Sequence, residues 1–351
     1  GAFGTTCMLD NGKVMKIARP CNSDDPINEN LCKSLGGNNH RLFLVNVSKK
    51  KKRLMVPNYI SEGIVSAYCT SLVDNEYTLS YVKTHGIHVS RSKKSFAIVM
   101  EPLKPWVPNQ SQEQVWYDLF LLSHALLVAQ QKYKFTHYDL HAANVMIRTL
   151  PSSTKYLRVP LVHPVSGRTK WFLVKSRGYV PVIIDFGAAR MTALNHVSVE
   201  PSYTTNLLGG TAQFHPVDDI LTLVLSMYNP PDDALTSNKL VQNDQVKEIN
   251  PYISLKHFLK ILFGNKLTEK DIFYNVDYRN PVYRVDKGKS FMSAADTAVY
   301  KFAYYLGNKV HIKSDPQNAV LSFVPVSSTH MFKPMHRLMS SHEDLSFVDK
   351  G

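Results

Sequence analysis

The sequence predicts an α+β fold in two parts, a small β-rich portion carrying one helix and a larger, mainly helical portion after it. Three observations support this. Hairpin and strand patterns crowd the first hundred residues. The longest helical run (112–134) begins only after them, and from about residue 217 mostly helical patterns continue to the end. The chain has 351 residues, enough for about two domains or one domain of two lobes, at roughly 150 residues each. The expected division is 1–103 and 104–351.

"TTCMLDNGKVMKIA" reads as strand, Asp-Asn-Gly turn, strand, because Asn-Gly supplies the positive-φ pair of a tight hairpin. Residues 20–57 are polar and irregular, with an apolar stretch "HRLFLVNV" and the cationic run "KKKKR", and read as an insertion. "YISEGIVSAYCTSLV" sets Ile60, Ile64, Val65, Tyr68 and Leu72 at helical spacing on one face. "SFAIVMEPL" reads as a buried strand that leaves its sheet at Pro102. After the long helix come "HYDLHAANVMI", a stretch rich in Pro, Ser and Lys, and "WFLVKSRGYVPVIIDFG".

With 44% hydrophobic and 20% charged residues the composition is that of a globular protein. The apolar runs fall short of the roughly 20 residues a bilayer span needs, so no membrane partner is expected. Cys7, Cys21, Cys32 and Cys69 show no C-x-x-C spacing, which points to a reducing, intracellular compartment. Lys plus Arg number 41 against 28 Asp plus Glu, a net charge of +13. That balance favours polyanions (nucleic acid, phosphorylated protein, nucleotide) or is simply a solvated basic surface. The opening "GAFGTTCMLD" lacks an initiator Met, and the natural start is expected upstream.

"HYDLHAANVMI" (137–147) puts an acid, an amide and two histidines just after a long helix. Alone it could be a polar helix end. "VIIDFGAAR" (182–190) adds Asp185 at the end of an apolar strand, where a carboxylate without a task would be costly. Together Asp139, Asn144 and Asp185 offer one carboxylate to orient a hydroxyl and two hard-oxygen ligands for Mg²⁺.

At these residues the chain resembles the protein kinase superfamily, over residues 1 to about 228. "HYDLHAAN" is similar to the catalytic loop H-R-D-L-x-x-x-N, "DFG" is unaltered, "VMK" resembles V-A-I-K, and "IVMEPL" is similar to the segment that meets adenine. The resemblance implies a bilobal fold with ATP and Mg²⁺ as cofactors. Asp139 would then be the base, Asn144 and Asp185 the Mg²⁺ ligands, and Lys16 the contact to the α and β phosphates. Glu62 would pair with Lys16, Glu29 being the alternative. Gly1 and Gly4 would close the phosphate-covering loop, whose first glycine would lie upstream. Met100 would be the gatekeeper, with Glu101 and Leu103 offering backbone groups to adenine.

"GGTAQFHPVDDILTL" (209–223) looks like the end of an activation segment running into a helix with Asp219 as its aspartate, nearest the casein kinase I and vaccinia-related branch. Thr211 would face the acceptor and favour Ser/Thr protein substrates. Tyr138 stands where the family's arginine pairs with a loop phosphate. His141 stands where Ser/Thr kinases carry a lysine near the transferred phosphate. D-L-H-x-x-N also occurs in small-molecule kinases of the aminoglycoside phosphotransferase type, so that reading stays open, as does a pseudokinase or nucleic-acid-binding scaffold. His137 and His141 lack the intervening Glu and third ligand of a zinc site. Asn144 and Asp185 are 41 positions apart, and an extended hairpin is expected between them. The long insertions and basic surface are similar to kinases of large DNA viruses, which implies host cytoplasm, nucleus or virion. "KKKKR" is a solvated loop, an import signal or a polyanion contact.

Overall fold

The computed structural model describes residues 4–18, 43–48, 51–56, 58–90, 95–107, 111–191, 197–199, 214, 216–227, 254–266, 272–277, 280–285, 297–313 and 320–326. The architecture is α+β. Strands β1 (Gly4–Met8) and β2 (Val14–Ala18) form the expected hairpin, with Gly12 at φ 75° in the turn and its N–H on the Leu9 carbonyl at 2.9 Å. Only glycine holds that conformation without steric cost. Strands β3 (Phe43–Ser48) and β4 (Lys51–Val56) form a second hairpin inside the expected insertion, so Lys51, Lys52 and Arg53 of "KKKKR" lie on a strand.

Helix α1 (Asn58–Asp74) follows, then β5 (Thr84–Ser90) and β6 (Ser95–Met100). Strands β1, β2, β6 and β5 make an antiparallel sheet in that order. Met15, Ala97 and Val99 pack with Cys7, Leu9 and Ile17 as a small cluster. Side chains alternate along a strand, so Met15 and Ile17 face one way and Lys16 the other. The apolar pattern of α1 implies one buried face, yet Ser61, Glu62, Ser66 and Thr70 are buried as well as Val65, Cys69 and Leu72. The helix is enclosed by neighbours that its own sequence does not reveal.

β7 (Lys104–Pro105), β8 (Val145–Thr149) and β11 (Tyr179–Ile183) form a three-stranded sheet with β8 central. Helix α2 (Gln112–Tyr133) is buried along nearly its whole length. The Ser111 hydroxyl caps it by accepting from Gln114 N–H at 3.2 Å, and Lys134 ends it in the left-handed conformation at φ 51°. The expected hairpin between Asn144 and Asp185 is β9 (Tyr156–Val162) paired with β10 (Thr169–Lys175), and β15 (Val320–Ser322) joins it in parallel to β9. A short strand β12 (Val197–Val199) runs parallel to β4.

Helices α3 (Asp218–Ser226), α4 (Leu255–Phe263) and α5 (Ala298–Val310) match the helical reading of the C-terminal part. Strands β13 (Ile272–Asp277) and β14 (Asn280–Val285) do not, for they pair as an antiparallel hairpin. Their β-branched and aromatic residues suit a pleated surface better than a helix. The core is centred on α2 and α5, where Phe120 meets Phe172 edge-on at 5.5 Å and Phe258 meets Phe302 at 4.9 Å. A Cβ on Gly307 of α5 would come within 2.8 Å of the Phe172 ring, so that helix needs glycine to lie this close to β10.

Candidate active site

Lys16 leaves β2 on the face opposite its apolar neighbours. Its Nζ lies 2.7 Å from Glu62 Oε1 on α1 and 2.8 Å from Asp185 Oδ1 just beyond β11. These residues are separated by 46 and 169 positions in sequence and meet in one ion cluster. Burial opposes the charge on Lys16, but the two carboxylates outweigh it and hold its pKa above the ordinary value. For Glu62 burial wins and raises the carboxyl, because it shares its cation with a second anion. Asp185 also suffers from burial, yet Lys16 and the Gly187 N–H together hold it below the usual range.

The backbone at Asp185 is left-handed, with φ 62° and ψ 76°, a conformation costly for a residue with a side chain. Packing secures it. The next residue, Phe186, is fully buried against Tyr81, Phe135 and His137, with ring centroids 6.2, 6.3 and 5.7 Å away.

The loop after α2 is held from below by α3. Asp219, fully buried near the start of α3, accepts the His137 N–H at 3.0 and 2.8 Å through its two oxygens and the Tyr138 N–H at 3.0 Å. Tyr138 is left-handed at φ 64°, and these bonds to a carboxylate offset the cost of about 1–2 kcal/mol. Burial and the adjacent Asp218 push Asp219 up to about 8, against the pull of the two amides. At the other end of α3, Ser226 Oγ accepts the Ala142 N–H at 2.8 Å.

His137 joins the two motifs. Its Nδ1 accepts the Asp139 N–H at 3.3 Å, so its Nε2 carries the proton and donates to the Ile184 carbonyl at 2.9 Å. Burial lowers its pKa to about 4, which keeps this neutral form in place. Asn144 donates its side-chain amide to the Asp139 backbone carbonyl at 2.8 Å, and its backbone carbonyl accepts the Ile184 N–H at 3.0 Å. Asn144 and Asp185 therefore emerge side by side at the ends of neighbouring strands. The Asp139 side chain stays 42% exposed, and burial raises its pKa, with His141 and Asn144 pulling down and Asp185 pushing up. His141 Nε2 lies 3.9 Å from Asp139 Oδ1 and 3.2 Å from the Asn144 amide nitrogen.

Met100 ends β6, half-buried against the core, and Leu103 lies in the same strip before β7. Glu101 between them is clamped. Arg148 on β8 meets its carboxylate through Nε at 2.9 Å and through Nη2, and also donates to the Leu79 and Tyr81 carbonyls. Glu101 Oε1 further accepts the Lys83 N–H at 2.7 Å, and Glu101 N–H donates to the Lys83 carbonyl at 3.0 Å. Gly4 opens β1 opposite Ala18. Gly1, Glu29 and Thr211 lie outside the described residues.

The chain thus brings together Lys16, Glu62, Asp139, His141, Asn144 and Asp185. Arg148 and Ser226 were not anticipated, and no local motif marks either one. The donor set suits Mg²⁺, which commonly takes one or two carboxylates and fills its remaining positions with waters and phosphate oxygens. Among the described residues no group of three or more His, Cys, Asp or Glu side chains forms a metal cluster. Also among them, no helix is long and apolar enough to cross a membrane.

No family model matches the chain. It is similar to two proteins of Invertebrate iridescent virus 3. Uncharacterized protein 038R is 33% identical over 129 residues, covering 35% of this chain and 23% of that protein. Uncharacterized protein 035R is 36% identical over 90 residues, covering 25% of this chain and 8% of that protein. The chain therefore spans less than a quarter of the length of either relative.

Proposed function

We propose that this chain is an ATP- and Mg²⁺-dependent phosphotransferase of bilobal, kinase-like design, and specifically a serine/threonine protein kinase of viral origin. The observation that carries the reading is the convergence of Lys16, Glu62 and Asp185 beside the loop that bears Asp139 and Asn144. Phosphoryl transfer relies on positioning and charge neutralisation more than on covalent chemistry, and these side chains supply both. The similarity to iridescent virus proteins supports the viral origin.

In this reading Lys16, oriented by Glu62, holds the α and β phosphates. Asn144 and Asp185 would hold Mg²⁺, which neutralises phosphate charge when bound. Asp139, part-exposed and backed by a fixed loop, orients the acceptor hydroxyl and takes its proton. His141 lies against Asp139 and Asn144 and faces the transferred phosphate. Glu101 and Leu103 present backbone groups to adenine, Met100 lies behind them, and Gly1 and Gly4 cover the phosphates. The protein acts inside the host cell or the virion.

The test is incubation with labelled ATP, Mg²⁺ and casein or basic protein, alongside a panel of aminoglycosides, cholines and sugars. Label should enter protein on serine or threonine. Asp139→Asn and Asp185→Asn should each lower the rate at least about a hundredfold with the fold retained by circular dichroism. Near-normal turnover in either variant would overturn the assigned roles, and label in a small molecule alone would move the substrate to that class.

A further inference from the structure

We propose that the outer face of the β9–β10 hairpin binds single-stranded nucleic acid. None of the 28 Asp and Glu residues falls between Asp139 and Asp185. In that interval Lys155, Arg158, Arg168, Lys170, Lys175 and Arg177 are all exposed, and among the described residues none of the six makes an ion pair with a carboxylate. Arg148, the other cation of the interval, is spent on Glu101.

The register sorts the hairpin into two faces. Phe172 opposite Val159 and Val174 opposite Leu157 point into the core. Directly opposed residues share a face, so Trp171 with Pro160, Leu173 with Arg158, and Lys175 with Tyr156 form the outer one. That face alternates cations with aromatic rings that are only partly buried, and the Arg158 guanidinium lies 4.9 Å from the Trp171 ring centroid.

Cations that form no ion pair with a carboxylate among the described residues attract any polyanion. Rings set among them add a stacking surface that bases use and an acidic peptide does not. Single-stranded nucleic acid is therefore the partner that engages both kinds of side chain. The face is also separate from the candidate active site. The β8–β11 pair runs from Val145 opposite Ile183, next to Asn144 and Asp185, to Thr149 opposite Tyr179 at the hairpin base. That is about 13 Å at the usual strand rise, so binding here does not depend on the phosphotransferase reading.

The experiment is fluorescence anisotropy of the full chain with labelled 20-nucleotide oligo(dT) between 50 and 200 mM NaCl. We expect affinity to fall steeply with salt. The double variant Arg158→Glu, Lys175→Glu, both at exposed positions of the outer face, should bind at least about tenfold more weakly. It should also flatten the log–log salt slope by about 1.4, the value for two lost single-strand phosphate contacts. Trp171→Ala should cost at least about fivefold, with Trp171→Phe retaining most of the affinity. Wild-type binding by the double variant would remove the hairpin's outer face from the interaction. Equal displacement by a polyglutamate peptide of matched charge, with no effect of Trp171→Ala, would overturn the nucleic-acid assignment in favour of an acidic protein partner.

Discussion

Removing Lys16 should expose how the ion cluster is balanced, by a readout that needs no activity. At 2.7 Å the Lys16–Glu62 attraction amounts to about 6 kcal/mol at an effective dielectric of about 20. Much of that is offset by the desolvation of both groups. Lys16→Met leaves Glu62, with 8% of its side chain exposed, as an unpaired buried carboxylate, whereas Asp185 at 40% is relieved by water. The expected loss is about 3 kcal/mol at pH 8. Glu62 can escape by taking up a proton, and its folded pKa is already raised. A raised carboxyl keeps a proton that the unfolded chain has released, so its contribution is fully present at low pH and fades as pH rises through the folded value. The variant widens that window, and at about 1.4 kcal/mol per pKa unit its deficit should shrink to about 1–2 kcal/mol at pH 5. Urea unfolding at both pH values measures this. Adding Glu62→Gln should recover most of the loss at pH 8. An equal deficit at both pH values, or a double variant weaker than Lys16→Met, would refute the charge coupling.

Arg148→Met should cost about 2–4 kcal/mol in the same unfolding assay, since it strands the Glu101 carboxylate and two carbonyls; under the proposed function it should raise the KM for ATP more than it lowers kcat. Burial pushes Asp118 up to about 6 although Trp106 donates to it at 2.8 Å. Wild type should therefore lose up to about 3 kcal/mol relative to Asp118→Asn as pH rises from about 4 to about 6, and a difference that stays constant across that window would refute the shift. Gly307→Ala should lower Tm, at a cost of about 1–3 kcal/mol, because its methyl would meet the fixed Phe172 ring; an unchanged melt would show that β10 can move aside.

Local patterns in the sequence were enough to define the first hairpin, α1, α2, the inserted β9–β10 hairpin, and the acidic and amide residues of the two loops. Each rests on periodicity, turn chemistry or a short motif, all of which act over a few residues. Helix periodicity likewise favours Glu62 over Glu29 as the partner of Lys16, and the structure sets Glu62 against Lys16. The strands at Ile272–Asp277 and Asn280–Val285 were missed, because their pairing partner and not a strong local period sets their form.

Tertiary structure alone decided what holds the loops. Asp219 and Ser226 reach the 137–142 loop across more than 80 positions, and Arg148 reaches Glu101 across 47. Such contacts carry no spacing rule, since a buried carboxylate or guanidinium satisfies whichever backbone groups the fold brings near it. A sequence fixes which groups are able to bond, and only the packed chain fixes which of them are close enough to do so.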